Sequence, residues 1–413
     1  MNAPSKKAWG YMLGLSVVCL LLLLYLLALR QSPPLPNQPP ATIAEAKPLA
    51  QREPPAFEPP AESTKEEVAR RTDNSTVTNA ADLYRQAFAL YAALTNDEKS
   101  ILGDWRTNVD ASVESALCEK IRPICDLMHQ AAAVTNCDWG TDPIMPETRL
   151  PQLNPSRSLA RAMVWNAAHC RSNDATGAAD DVLSVLQLGH TISHTAIIGC
   201  LVDLAIQGTA SSYLAQHAGL FGPDDNQRLT AAFSDPSYQG EPSRALEEEA
   251  DIAEREAARL AALSDDDARN ELTNGWVVTA GNPLTPPSRD AAVAALKQVV
   301  AAQREMAEAL AVSCADGYAV WQRNWDALRA SNPLTGGFLD SLGAFADKAE
   351  RGEVNRALVV AGLAVAEGAP VTLYTDPSSG QPFIYTKTTD GFELKSTYQI
   401  NGKPMTMQFK MTP

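Results

Sequence analysis

From Ala8 to Leu29 the chain carries no charged residue, and Leu20 to Leu24 is an unbroken run of leucine. At a rise of about 1.5 Å per residue this stretch makes a helix of roughly 33 Å, enough to cross a bilayer core. A helix is the form it must take there, because hydrocarbon offers no partner for an open backbone N–H or C=O. Lys6 and Lys7 precede the run and only Arg30 follows it closely. That bias predicts a single-pass anchor with the N-terminus in the cytoplasm and the bulk of the chain outside it. Trp9, Tyr11 and Tyr25 suit the two interfaces. A cleaved signal has a shorter apolar stretch ending at a small-residue site, whereas this run is long and Leu26, Ala28 and Arg30 make a poor site.

Residues 1–30 contain three cations and no acid, so against a total of -15 the remaining residues carry -18. A body that acidic repels nucleic acid phosphates and keeps itself soluble. Nucleic acid is therefore excluded as an expected partner. Residues 31–60 hold ten prolines, which cannot build a core and favour extended polyproline-like conformers. The expected organisation is a cytoplasmic tip and anchor at 1–30, a disordered proline-rich spacer at 31–77, a helical ectodomain at 78–368 and a C-terminal β-meander at 369–413.

Apolar residues recur at helical spacing from Leu83 to Leu94 and again from Val113 to Met128, where Pro123 is expected to kink or end the helix. Asp138 to Pro155 reads as a connecting loop. Further helices are expected over 159–169, 178–188, 197–214, 291–312, 318–328 and 339–367. Arg244 to Leu263 is acidic and alanine-rich with a weak apolar stripe, which predicts a solvated surface helix. The final forty residues alternate at period two, with Asp390-Gly391 and Asn401-Gly402 between the runs. Such dipeptides suit tight hairpin turns and predict a three-stranded antiparallel meander docked on the helices. The expected class is mainly α with a small antiparallel sheet.

Few residues suggest chemistry. His190 and His194 stand at i and i+4 and share a helix face, so they can grip one metal ion if His169 or Asp203 supplies a third ligand. The glutamate of the HExxH pattern is missing, and Gly189, Thr191 and Ile192 weaken a helix there. Cys118, Cys125, Cys137, Cys170, Cys200 and Cys314 are disulfide candidates in an oxidising compartment. Each lies in an apolar helical setting where a thiol also packs well, so two bridges or fewer are expected. On one straight helix Cys118 and Cys125 stand too far apart to pair. Glu247, Glu248 and Glu249 read as a solvated helix face. There is no phosphate-binding loop, dinucleotide fingerprint, nucleophile elbow or calcium loop, and no cofactor is expected.

Asn79-Ala-Ala-Asp-Leu-Tyr84-Arg-Gln-Ala-Phe88, followed by Cys137-Asp-Trp139-Gly140 and the alanine-rich stretch up to Val202, resembles a family of uncharacterised bacterial envelope proteins. That resemblance implies a membrane-anchored or secreted helical body, hence the inner membrane and periplasm. Asp376-Pro-Ser-Ser-Gly380-Gln-Pro-Phe383-Ile-Tyr385 with Gly391-Phe392-Glu-Leu394 is similar to the C-terminal hairpin of type II secretion pseudopilins. The chain departs from pseudopilins in its missing leader, its long body and its ending after Tyr398, so the element is expected to act as a folding cap. The expected function is a non-enzymatic envelope scaffold, assembly or interaction protein with a protein partner. The alternatives are a metal-dependent hydrolase and a carrier of an apolar ligand.

Overall fold

The computed structural model describes residues 79–140, 150–193, 196–275, 288–331 and 336–411, so the apolar segment 8–29 and the proline spacer lie outside the described residues. The fold is mainly α, closed by a three-stranded antiparallel sheet. Its helices are α1 (Ala80–Ala92), α2 (Asn96–Leu102), α3 (Ala111–Ala132), α4 (Leu153–His169), α5 (Ala175–Ser193) and α6 (Ala196–Gln216). They continue as α7 (Pro223–Phe233), α8 (Ser237–Ala262), α9 (Asp265–Gly275), α10 (Arg289–Val312), α11 (Cys314–Ser331) and α12 (Gly336–Ala366). The strands are β1 (Ile384–Lys387), β2 (Gly391–Ile400) and β3 (Lys403–Lys410).

Two large apolar cores organise these elements. The first gathers Tyr84, Ile121, Met128, Met163, Trp165, Tyr213 and Leu358 together with Phe392 and Phe409 of the sheet. The second gathers Cys200, Leu201, Leu246, Met306, Leu310 and Phe345. A smaller cluster of Ala257, Leu260, Leu272 and Leu296 joins α8, α9 and α10. Both α6 and α12 enter each large core, so they hold the body together. Among the described residues, α6 alone is long and apolar enough to cross a membrane. None of its residues is exposed, and it carries Asp203, which is fully buried. Those are the features of a core helix, since a helix apolar all round is usually buried among neighbours.

Three expectations need correction. α3 runs through Pro123 unbroken, because Pro123 lies on the exposed face while Ile121, Ile124 and Met128 are buried against neighbours. Glu119, whose carbonyl loses its N–H partner there, is an exposed residue, so water can take the missing bond and lower the penalty. The expected loop ends earlier than Pro155, which lies in the first turn of α4, where a missing N–H costs little. α8 is not a solvated surface helix. Ala245, Leu246, Ala250, Ala257 and Leu260 are buried, and small alanines let α10 approach closely along its length.

The sheet forms where the alternation placed it, in the order β1-β2-β3. Asn401 and Gly402 both take positive φ, 54° and 74°, as a tight hairpin turn requires. Asp376 fastens the preceding loop to the irregularity in β2: it accepts from Ser396 Oγ, Thr397 N and Thr397 Oγ1, each at 2.8 Å. Tyr398 donates to Asp347 Oδ1 of α12 at 2.7 Å. The two stretches that carry the envelope-protein resemblance also meet. Asn79 Oδ1 accepts from Asp138 N at 2.9 Å, and Trp139 stacks on both Tyr84 and Phe88.

The tip of the Phe409 ring abuts Gly362 of α12, where an added Cβ would stand 1.9 Å from Cζ. Gly362→Ala is therefore expected to destabilise the protein by about 1–3 kcal/mol. Urea unfolding would show it as a lower midpoint, and an unchanged midpoint would show that the sheet docks elsewhere.

Candidate functional site

At the seam between the two large cores the chain buries a polar cluster instead of apolar side chains. Asp203 of α6 is fully buried, as are Gln207 and Ser211 one and two turns further along the same helix. Glu241, near the start of α8, is 3% exposed. His190 Nδ1 lies 2.7 Å from Glu241 Oε1, and Ser193 Oγ donates to the same oxygen at 2.7 Å. Asp203 Oδ2 accepts from Gln207 Nε2 at 2.7 Å. Arg356 of α12 donates to Gln207 Oε1 at 3.2 Å, and Asn355 donates to Ser211 Oγ at 2.6 Å. Gly189 makes room for this arrangement, because a Cβ there would stand 2.1 Å from Asp203 Oδ1.

The same corner contains an unusual helix start. Ala196 opens α6 at a positive φ of 60°, a conformation that non-glycine residues rarely adopt. The first N–H groups of a helix lack intrahelical partners. Here they are satisfied from α8: Glu248 Oε2 accepts from Ala196 N at 3.0 Å, and Glu249 accepts from Ile197 N. Two of the three glutamates expected to be solvated therefore turn inward, and only Glu247 stays exposed. Spacing on one helix could not reveal this, because the partner is the end of another helix.

The metal candidates divide. His190 and Asp203 both border Glu241 at the seam, and each is engaged by protein groups. His169 lies elsewhere: it stacks on Trp165, faces Glu114 at 3.2 Å and meets the Trp105 carbonyl at 2.9 Å. His194 falls outside the described residues. Among the described residues no three His, Cys, Asp or Glu groups assemble as a metal site. Helix α5 itself continues through Gly189, Thr191 and Ile192 to Ser193, because Thr191 and Ile192 are buried against the core.

A second polar group was not marked by the sequence. His129 Nε2 meets Asp181 Oδ1 at 2.8 Å, and Asn166 donates to Asp181 Oδ2 at 2.6 Å. Asp181 is fully buried, while His129 lines an open cavity of about 530 Å³ with Ser184, Gln187, Arg228 and Asp235. Arg228 is already paired with Asp180 and Asp225. The hydrogen bond from Asp181 raises the His129 pKa, and burial raises that of Asp181. The pair holds α3 against α5.

Of the six cysteines, Cys118 and Cys170 form a disulfide across 52 residues, with Cα atoms 5.8 Å apart. Cys125, Cys137, Cys200 and Cys314 remain thiols. The continuity of α3 explains the choice, since it keeps Cys118 and Cys125 apart and turns Cys118 towards the end of α4. Burial pushes the Cys125 and Cys200 thiols well above the usual range, so neither is an activated nucleophile. No protein family, curated protein or solved structure matches the chain.

Two measurements check this geometry. Cys118→Ser is expected to lower unfolding free energy by about 2–4 kcal/mol, and thiol-blocked wild-type protein should migrate faster on a non-reducing gel than the variant. Identical migration would show that the bridge does not form. For His129, the raised folded-state pKa means that its stabilisation is complete below the ordinary histidine value and lost as pH rises through the folded value. His129→Gln should therefore reduce the loss of stability seen as pH rises above the ordinary histidine value. An unaltered pH profile would show that His129 contributes no such stabilisation.

Proposed function

We propose that this chain is a bacterial envelope protein, anchored in the inner membrane by residues 8–29 and working through protein contacts as a scaffold, assembly or interaction factor. The Cys118–Cys170 bridge supports the compartment, because such bridges persist where the medium is oxidising. The proline spacer then serves as a stiff arm that holds the body away from the bilayer.

The observation that carries the interaction role is the outer edge of β1. β1 pairs with β2 on one side, and among the described residues no strand pairs with its other side. All four of its residues are exposed, with Ile384 at 52% and Tyr385 at 42%. Monomeric proteins usually blunt such an edge, because its main-chain N–H and C=O groups accept an added strand. β1 is short and ends in Lys387, but its exposed Tyr385 is positioned by stacking on Phe392 of β2. An open edge with two exposed apolar side chains suits a partner that adds a strand.

A photoreactive phenylalanine analogue at position 385 of the full chain, irradiated in intact cells, tests this directly. A discrete crosslinked species is expected from position 385 and not from position 266, an exposed control on α9. A strictly uncrosslinked monomer from both positions would end the interaction role for this edge.

A further inference from the structure

One buried carboxyl oxygen at the seam between the two cores has no hydrogen-bond donor. Asp203 Oδ1 is buried and accepts no hydrogen bond, although its partner oxygen Oδ2 does. The carboxyl of Glu241 lies within hydrogen-bonding reach of Asp203, and Glu241 Oε1 already receives Ser193 and faces His190. Two carboxylates cannot hydrogen-bond to each other, since both only accept. A single proton on the pair turns one of them into a donor and fills the missing bond. Leaving both ionised would bury two like charges side by side, which is costly in a low-dielectric interior.

We propose that the seam is a proton-operated clamp, in which one proton shared by Asp203 and Glu241 fastens α8 to the joint between α5 and α6, and its release loosens that contact. The groups around the proton come from every helix that meets there. α5 supplies His190, α6 supplies Cys200, and α12 supplies Arg356, which also reaches Gln207. α8 supplies Glu241, Arg244, Glu248 and Glu249, and Asp235 precedes it. Cys314, at the start of α11, lies behind Cys200. The clamp spans more than one pair, because Glu248 and Glu249 of the same helix cap the first amides of α6. Loosening α8 therefore also uncovers the start of the central helix. α10 lies along α8, so it would follow α8 in any such movement.

Asp203, Glu248, Glu249 and His190 push in one direction, whereas the Ser237 amide holds Asp235 below the usual carboxylate range. Burial and Glu241 hold the Asp203 carboxyl well above the usual carboxylate range. Burial raises Glu248, and it pushes Glu249 up to about 6. For each of these the folded state binds a proton more readily than the unfolded chain, so stability rises as pH falls through the folded value. The Glu241 hydrogen bond raises His190, whose stabilisation is present in acid and lost as pH rises through its folded value. Acid closes the clamp and alkali opens it.

Hydrogen exchange on the full chain in detergent, followed at the amides of Ala196 and Ile197, reads the opening. The opening constant is expected to rise by up to about tenfold per pH unit for each proton released. Asp203→Asn keeps the shape and supplies a permanent N–H donor to Glu241, so it should fold and flatten this dependence, with slower opening near pH 8 than wild type. Glu241→Gln is the second variant and should flatten it likewise. The infrared band of a protonated buried carboxyl should be present in wild type near pH 7 and absent in Asp203→Asn. The proposal is overturned if both variants keep the wild-type pH slope, if that band is absent from wild type, or if a chelator alone opens the seam at constant pH.

Discussion

Charge taken out of water at the junction of two apolar cores is the constraint around which the rest of this body is arranged. Asp203, Glu241 and Arg356 are each at least nine-tenths buried, and a buried charge is tolerated only when neighbours supply hydrogen bonds or opposite charge. That requirement brings four helices to one place. α5 contributes His190 and Ser193, α6 contributes Asp203 and Gln207, α8 contributes Glu241, and α12 contributes Arg356 and Asn355. Apolar packing alone tolerates sliding of one helix past another, whereas directional bonds of this kind admit one register. The seam therefore sets how the two cores sit on α6 and α12.

Absent side chains do comparable work. Gly189 leaves the space that Asp203 Oδ1 occupies, and Gly362 leaves the surface that the tip of the Phe409 ring abuts. Gly219 lets the backbone at Met411 pass against it. In each case a helix or turn approaches a neighbouring group at a distance that a Cβ would forbid, so the protein gains a close contact at the conformational cost that glycine brings. The C-terminal sheet is locked on by these contacts, by the Asp376 loop and by Tyr398 on Asp347. It behaves as part of the body, and all four residues of β1 stay exposed at one edge.

Some of this was legible from the residues in order. Period-two alternation with Asp390-Gly391 and Asn401-Gly402 located the three strands, because side-chain alternation and hairpin turns are local properties. Helical spacing located most helices for the same reason. Pro123 was misleading because the cost of a proline depends on which face of the helix it occupies, and facing is set by the neighbours of α3. Glu248 and Glu249 were misleading because their partners, the first amides of α6, lie about fifty residues away. The His129–Asp181–Asn166 group left no trace, since three common residues on three helices form no spacing that a linear pattern can show.

By itself the sequence determined the uncharged segment 8–29, the proline spacer, the acidic balance of the residues beyond Arg30, and the mainly α body with its closing meander. These come from composition and from periods of two and 3.6 residues, which need no knowledge of long-range contacts. Only the tertiary structure decided that Cys118 pairs with Cys170, that His169 parts company with His190, and that Asp203 faces Glu241 across the seam. Each of those is a matter of which distant surfaces meet once apolar area is buried. Burial also governs the chemistry of the groups involved, because excluded water and a neighbouring carboxyl both raise a carboxyl's affinity for protons.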